Sequence, residues 1–274
     1  MYLGGVMRKN QFIVVVVLLL TLGGSLYAVT FGEPDGNRHP YVGTIIFQRP
    51  GGYFSCSATL MSPTVLLTAG HCTSGGGAAN LKTWISFQPS VSLAGSQNYS
   101  SLGSFLDDPN NGWILGQAIP HPQFNDFAEF PAIYDVGVIL LNHSVSSSTY
   151  GALPPQNFLE TLRGGSKHDF TIVGYGLQGL IKPFFSALYQ RFMGTIRLVE
   201  LNSTYNGGMT AKFTNNPGVG GGTCLGDSGG PIFFANTNMV VAVVSFGTTP
   251  CIGIDYNFRT DTALAQDFLE SYIP

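Results

Sequence analysis

Apart from one apolar run near its start, this chain carries its hydrophobic residues in short β-branched and aromatic segments cut by glycine. Examples are VLLTAG at 65–70, IYDVGVILL at 133–141 and TIVGYG at 171–176. Such segments fit a half-buried pleated surface better than a helix, and long stripes of 3.6-residue period are scarce. With 36 glycines among 274 residues, turn signals recur often enough to separate many strands. The expectation is an all-β protein. One exception is DTALAQDFLESYI from Asp261, where Leu264, Phe268 and Leu269 share an apolar side. This predicts a short C-terminal helix over about 262–272, with Asp261 as its cap. Charged residues make up only 10% of the chain and the net charge is −3, which argues against a nucleic-acid partner, since phosphate binding needs a basic face.

The apolar run near the start is FIVVVVLLLTL at 12–22, behind Arg8 and Lys9. It falls short of the about 20 residues that span a bilayer and has the shape of a secretory signal core. Residues 1–28 read as a signal peptide, with Met7 as an alternative start. Cleavage is expected after Ala28, with Ser25 as a competing position; a retained membrane anchor is the other reading. Cleavage would leave a secreted, extracellular chain with no stable membrane association. Four cysteines remain, Cys56, Cys72, Cys224 and Cys251, and an even count behind a secretory signal reads as disulfides. No CxxC or Cys/His cluster supports a metal site, and no organic cofactor is implied. Sequons at Asn98, Asn142 and Asn202 could carry glycans.

CLGDSGGP at 224–231 is the most specific segment. It surrounds one hydroxyl with residues that contribute almost no side chain, which suits a tight loop pointing backbone N–H groups at one place. A serine becomes a nucleophile only when a base takes its proton and a third group orients that base. Among five histidines, His71 ends VLLTAGHC, where a strand runs into small residues and a cysteine; His39 and His121 sit in HP turns. For the orienting acid, Asp135 precedes a strongly apolar strand, where an isolated buried carboxylate would be very costly and an imidazole N–H would satisfy it. Asp107, Asp108 and Asp126 lie in polar loops.

Together, TAGHC, YDVGVILL and CLGDSGGP resemble the His, Asp and Ser motifs of the chymotrypsin-like (trypsin-fold) serine peptidases, in that family's chain order. The resemblance runs from about residue 29 to 272. CSATLMSPTVLLTAGHC is similar to the family's first disulfide loop, HPQF at 121–124 to the turn before the catalytic Asp strand, and SFGTTPC at 245–251 to the substrate-binding strand. It implies two six-stranded antiparallel β-barrels, the first over about 29–150 and the second over about 151–260. It also implies the pairs Cys56–Cys72 and Cys224–Cys251. Ser228 would attack, His71 would carry the proton, Asp135 would fix the imidazole, and the N–H groups of Gly226 and Ser228 would form an oxyanion hole. Polypeptides would be the substrates and protein inhibitors further partners.

VTFGEPDGNRHPYVG at 29–43 resembles the mature N-terminal segment of the family. An ammonium on Val29, exposed by signal removal, would pair with Asp227. The substrate pocket would include Gly222, Thr223, Ser245, Phe246 and Gly247. Gly222 stands where trypsin-like members carry an aspartate, which favours an apolar or small side chain before the cut bond. Asp255 reads as an outward loop residue; turned inward, it would favour Arg or Lys. The chain departs from the better-known members in a longer stretch between His71 and Asp135, in Phe246 for tryptophan, in Gly70 for alanine, and in one missing disulfide. A peptidase-fold binding protein without catalysis is the rival class, although such relatives usually lose a motif that is intact in this chain.

Overall fold

Strand β2 (Val42–Arg49) shows how the short apolar runs are used. Side chains alternate across a strand. Ile45 and Phe47 join the main core, while Ile46 points the other way into a cluster with Trp84, Phe105, Leu106 and Trp113. Both faces are therefore covered, which explains a run that is apolar throughout. The computed structural model describes residues 29–75, 78–162, 168–179, 189–201 and 207–274. The predicted signal segment and Asn202 lie outside them; Asn98 and Asn142 are exposed.

β2 pairs with β3 (Gly52–Ser62), and β4 (Val65–Thr68) follows. After a small hairpin of β5 (Ser74–Gly75) and β6 (Ala78–Ala79) come β7 (Lys82–Ser86), β8 (Ile114–Pro120) and β9 (Gly137–Leu141). The order β2-β3-β4-β9-β8-β7 closes into a barrel, so no edge is left unpaired. Between β7 and β8 an insertion holds the short helix Leu102–Asp107, and its Phe105 and Leu106 cover the outside of the barrel.

The second barrel is built from β10 (Asp169–Gly174), β11 (Phe192–Glu200), β12 (Thr210–Asn215), β13 (Pro231–Phe234), β14 (Val240–Gly247) and β15 (Gly253–Arg259). Its order is β11-β10-β13-β14-β15-β12, closed where β12 pairs back onto β11. Both disulfides form as expected, Cys56–Cys72 and Cys224–Cys251. No described helix is long and apolar enough to cross a membrane.

Two boundaries differ from expectation. Residues 29–34 belong to the second barrel, not the first: β1 (Glu33–Pro34) pairs with β11, and Val29 is buried in that barrel's core. Asp35 then anchors the segment, accepting from the fully buried Arg191 at 2.8 Å while contacting the His39 ring. The C-terminal helix spans Ala263–Leu269, and its cap is Thr262, whose hydroxyl accepts from the Ala265 N–H. Asp261 is not the cap because the Arg259 guanidinium and the Leu159 N–H already occupy its carboxylate.

Candidate active site

His71 sits in a one-turn helix, Gly70–Thr73, held to β3 by the Cys56–Cys72 bridge. Its neighbour must be glycine, since a Cβ at Gly70 would press on the Phe124 ring at 2.9 Å and on the Val136 nitrogen at 3.1 Å. That packing accounts for glycine where the family carries alanine. Asp135 lies in the segment just before β9 and is fully buried. It accepts from the His71 backbone N–H at 2.8 Å and faces the ring Nδ1 at 2.9 Å through its other oxygen. The Ser245 hydroxyl, from β14 of the second barrel, donates to the same carboxylate at 2.5 Å. Ser245, expected only in the substrate pocket, therefore also orients the acid.

Burial alone would lower the His71 pKa, but the charge and hydrogen bond of Asp135 outweigh it and hold the imidazole above its ordinary value. Cys56, His71 and Cys72 have potential ligand atoms close together, but both sulfurs are tied up in the disulfide and offer no thiolate to a metal.

The loop bearing Ser228 is held by Ser57 on β3. The Ser57 N–H donates to the Ser228 carbonyl at 2.7 Å, and its hydroxyl donates to the Gly226 carbonyl at 3.0 Å while accepting from the Tyr175 N–H. Glycine is needed at two points. Gly226 has φ of 99°, and Gly229, at φ 75°, leaves no room for a Cβ beside the Thr68 hydroxyl and the Ser57 carbonyl. The N–H groups of Cys224, Asp227 and Gly230 are used within the loop, and that of Gly229 donates to the Val244 carbonyl on β14. Among the described residues, those of Leu225, Gly226 and Ser228 donate to no protein acceptor. His71, Gly226 and Ser228 line one cavity of about 480 Å³.

Asp227 is fully buried, accepting from the N–H groups of Gly176 at 2.8 Å and Cys224 at 2.9 Å. Burial pushes its pKa up to about 7, with nearby Asp255 adding to the rise. Val29 is buried, and Thr30 bridges to Gly222 in the strand pattern.

A second cavity, about 260 Å³, lies on the other side of Ser228. Thr223, Ser245, Phe246 and Gly247 line it. Gly222 does not, because the Asn215 side chain fills the space beside it. The reading of Asp255 as an outward residue is overturned. It pairs opposite Gly247 across β14 and β15, is only 1% exposed, and lines the cavity. Alternation along β15 decides the direction. A Cβ at Gly247 would collide with its carboxylate, so the glycine makes room for the acid. Asp255 accepts from the Thr223 N–H at 3.0 Å, the Thr223 hydroxyl at 2.7 Å and the Asn215 amide at 3.0 Å. Burial raises its pKa to about 6. Asn215 in turn accepts from the Thr30 hydroxyl at 2.7 Å, tying the pocket to the N-terminal segment. Neither Ser57 nor Asn215 carries a sequence signal of its own. Their roles arise from contacts with residues far along the chain. In place of tryptophan, Phe246 stacks on Tyr256 with ring centres 5.2 Å apart.

A family model described as trypsin matches residues 29–269. The chain belongs to the trypsin family. Among curated relatives it is 26% identical over 229 residues to a trypsin from Saccharopolyspora erythraea, covering 79% of this chain and 86% of that protein. It is also 26% identical over 223 residues to a phenoloxidase-activating enzyme from Bombyx mori, covering 73% of this chain but about half (49%) of that longer relative. Among solved structures, one titled HL collagenase superposes with a TM-score of 0.64 at 16% identity, covering 89% of this chain and 97% of the other. A mutant of human heparin binding protein superposes with a TM-score of 0.61 at 16% identity, covering 89% and 96%. At these identities the structural neighbours speak to the fold alone, and the trypsin fold is what they share.

The environment of His71 in this trypsin-family chain makes a direct prediction. An NMR titration of the His71 ring should give a pKa above 6.5. Asp135→Asn should drop it below 6.5, because burial then acts with only the weaker pull of Asp126 to oppose it.

Proposed function

We propose that this protein is a secreted serine endopeptidase in which Ser228 attacks the substrate carbonyl and His71 takes and returns the proton. The observation that carries this reading is the shared cavity of His71, Gly226 and Ser228, backed by the buried Asp135 carboxylate on the far side of the imidazole. Asp135 holds the ring with Nδ1–H toward itself, which leaves Nε2 to accept the Ser228 proton. The free N–H groups of Gly226 and Ser228 form the oxyanion hole. Losing one such donor typically costs about 3–4 kcal/mol of transition-state stabilisation. Attack gives an ester between Ser228 Oγ and the substrate acyl group, with departure of the amine protonated by His71; water then releases the acid. Polypeptides are the substrates and protein inhibitors further partners. Two disulfides and the basic, apolar leader support export from the cytoplasm.

A fluorophosphonate probe should modify Ser228 alone, and Ser228→Ala should abolish labelling and peptide hydrolysis together. Asp135→Asn should cut turnover by roughly 10⁴, a magnitude taken from triads of this family. An intact wild-type chain that is neither labelled nor active is the result that would favour the binding-protein reading.

The pocket chemistry favours a cationic side chain before the cut bond. Asp255 is a buried carboxylate in the pocket wall whose present donors are all neutral, so a substrate guanidinium or ammonium would supply the missing charge. The small volume and apolar lining of the pocket carry the second reading, an apolar or small side chain. Asp255 is neutral below about 6 and ionised above it. Preference for Arg or Lys over Leu, measured as a ratio of kcat/KM, should therefore rise with pH through about 6. Asp255→Asn should lower that ratio by roughly tenfold or more and flatten its pH dependence. A ratio that favours Leu at every pH would select the second reading.

Asp227 has two backbone donors and a pKa raised by burial, which is the environment of an acid awaiting a cation. We assign that cation to the α-amino group of Val29 after removal of residues 1–28. The folded-state pKa of about 7 lies above the unfolded value. Without the ammonium, Asp227 therefore lowers stability progressively as pH rises from about 4 to 7. A chain starting at Val29 should be active and lack that loss, whereas one extra residue ahead of Val29 should give low activity and show it. Full activity with the extra residue still attached would refute the pairing.

A further inference from the structure

The cavity of about 480 Å³ extends well beyond the reacting groups. His71, Gly226 and Ser228 form one end, and Tyr53, Phe54, Leu102 and Tyr189 line the rest. It differs in one decisive respect from the Asp255 pocket: His71 lines this cavity and not the other. The leaving amine must receive its proton from that imidazole, so the polypeptide following the cut bond runs along this side. Resting on the proposed roles of Ser228 and His71, we propose that this cavity selects substrates with a large apolar or aromatic side chain at one of the first two positions after the cut bond.

The insertion between β7 and β8 supplies Leu102 to the lining and braces two of the aromatic residues beside it. The Gly103 N–H, in the insertion's helix, donates to the Tyr53 hydroxyl at 3.0 Å and so fixes the ring. The Val91 N–H donates to the Tyr189 carbonyl at 2.8 Å, and the Arg191 N–H to the Pro89 carbonyl at 2.8 Å, so the same insertion holds Tyr189 in place. Leu102 is the first residue of the insertion's helix. Phe54 and Leu225, both in the lining, are 49% and 61% exposed, so the cavity presents large apolar side chains to its occupant. A substrate segment is the occupant that covers them, because the cavity is continuous with the reacting serine. One cation, Arg49, also lines the cavity. It donates to the His71 carbonyl at 2.6 Å and to Asn80 at 2.8 Å, and stacks over Phe47 at 4.4 Å. Its partners orient the guanidinium without neutralising it, so an acidic nucleophile is the control that separates apolar from ionic selection.

Acyl transfer tests this independently of the Asp255 pocket. The full-length mature protein is acylated from a 4-nitrophenyl ester of lysine or leucine, and the acyl group is partitioned between water and dipeptide amides. The amine nitrogen attacks the ester carbonyl, His71 accepts its proton, and Ser228 Oγ departs with that proton. Amide and acid products are separated by chromatography. Phe-Gly-NH₂ or Gly-Phe-NH₂ should compete better than Gly-Gly-NH₂ by roughly tenfold or more, the factor expected from burying a large apolar side chain. Leu102→Ala and Phe54→Ala should each reduce that preference severalfold. Nucleophiles that compete within about twofold of each other would overturn the inference, as would a preference for Gly-Asp-NH₂, which would point to Arg49. If either variant fails to fold, the wild-type nucleophile panel decides alone. Ester hydrolysis with no selectivity sinks this inference and leaves the peptidase reading standing; no ester turnover and no phosphonate labelling sinks both.

Discussion

A buried carboxylate shared by both barrels holds this site together. Asp135 is fully buried, and its donors come from both barrels: the backbone and ring of His71 from the first, the hydroxyl of Ser245 from the second. An unsatisfied buried carboxylate costs several kcal/mol, so docking of the barrels and satisfaction of Asp135 are one event. Ser57 repeats the arrangement from the other direction. A residue of the first barrel carries three hydrogen bonds to the second, at Tyr175, Gly226 and Ser228, and so sets where the serine loop stands relative to the histidine. Groups carried by different barrels can keep a fixed relation only if such bonds cross the cleft.

The second barrel has its own chain of buried polar groups. Thr30 donates to Asn215, Asn215 donates to Asp255, and Asp255 lies close enough to Asp227 to raise its pKa. Seating of the N-terminal segment, the charge state of the pocket wall and the loop behind the serine therefore share one low-dielectric region. Charges couple strongly there, because little water screens them. Asp35 and Arg191 anchor the same segment further along, with Arg191 also reaching Val42 and Phe87 of the first barrel. The N-terminal stretch is therefore a structural part of both the barrel contact and the pocket.

Local pattern was enough for the all-β class, since short β-branched apolar runs and frequent glycines do not depend on remote contacts. The motifs around His71, Asp135 and Ser228 were equally legible, because each packs an unusual residue type into a short, distinctive context. The capping of the last helix was misread because Asp261 and Thr262 are both competent caps by sequence. Arg259 and the Leu159 N–H, remote or differently engaged, took one of them. Asp255 was misread for a similar reason. The loop after Cys251 leaves the register of β15 undetermined by sequence, and a shift of one residue turns every side chain to the other face.

The amino-acid sequence by itself thus determined the strands, the family motifs and the chemistry of the groups available, because these follow from neighbours within a few positions. Tertiary structure alone decided which buried polar groups satisfy one another. It set Ser245 against Asp135, Asn215 against Asp255 and the inserted helix against the cleft wall. These partners are separated by tens of residues or more, and their meeting depends on barrel closure and strand register, which only the folded chain fixes.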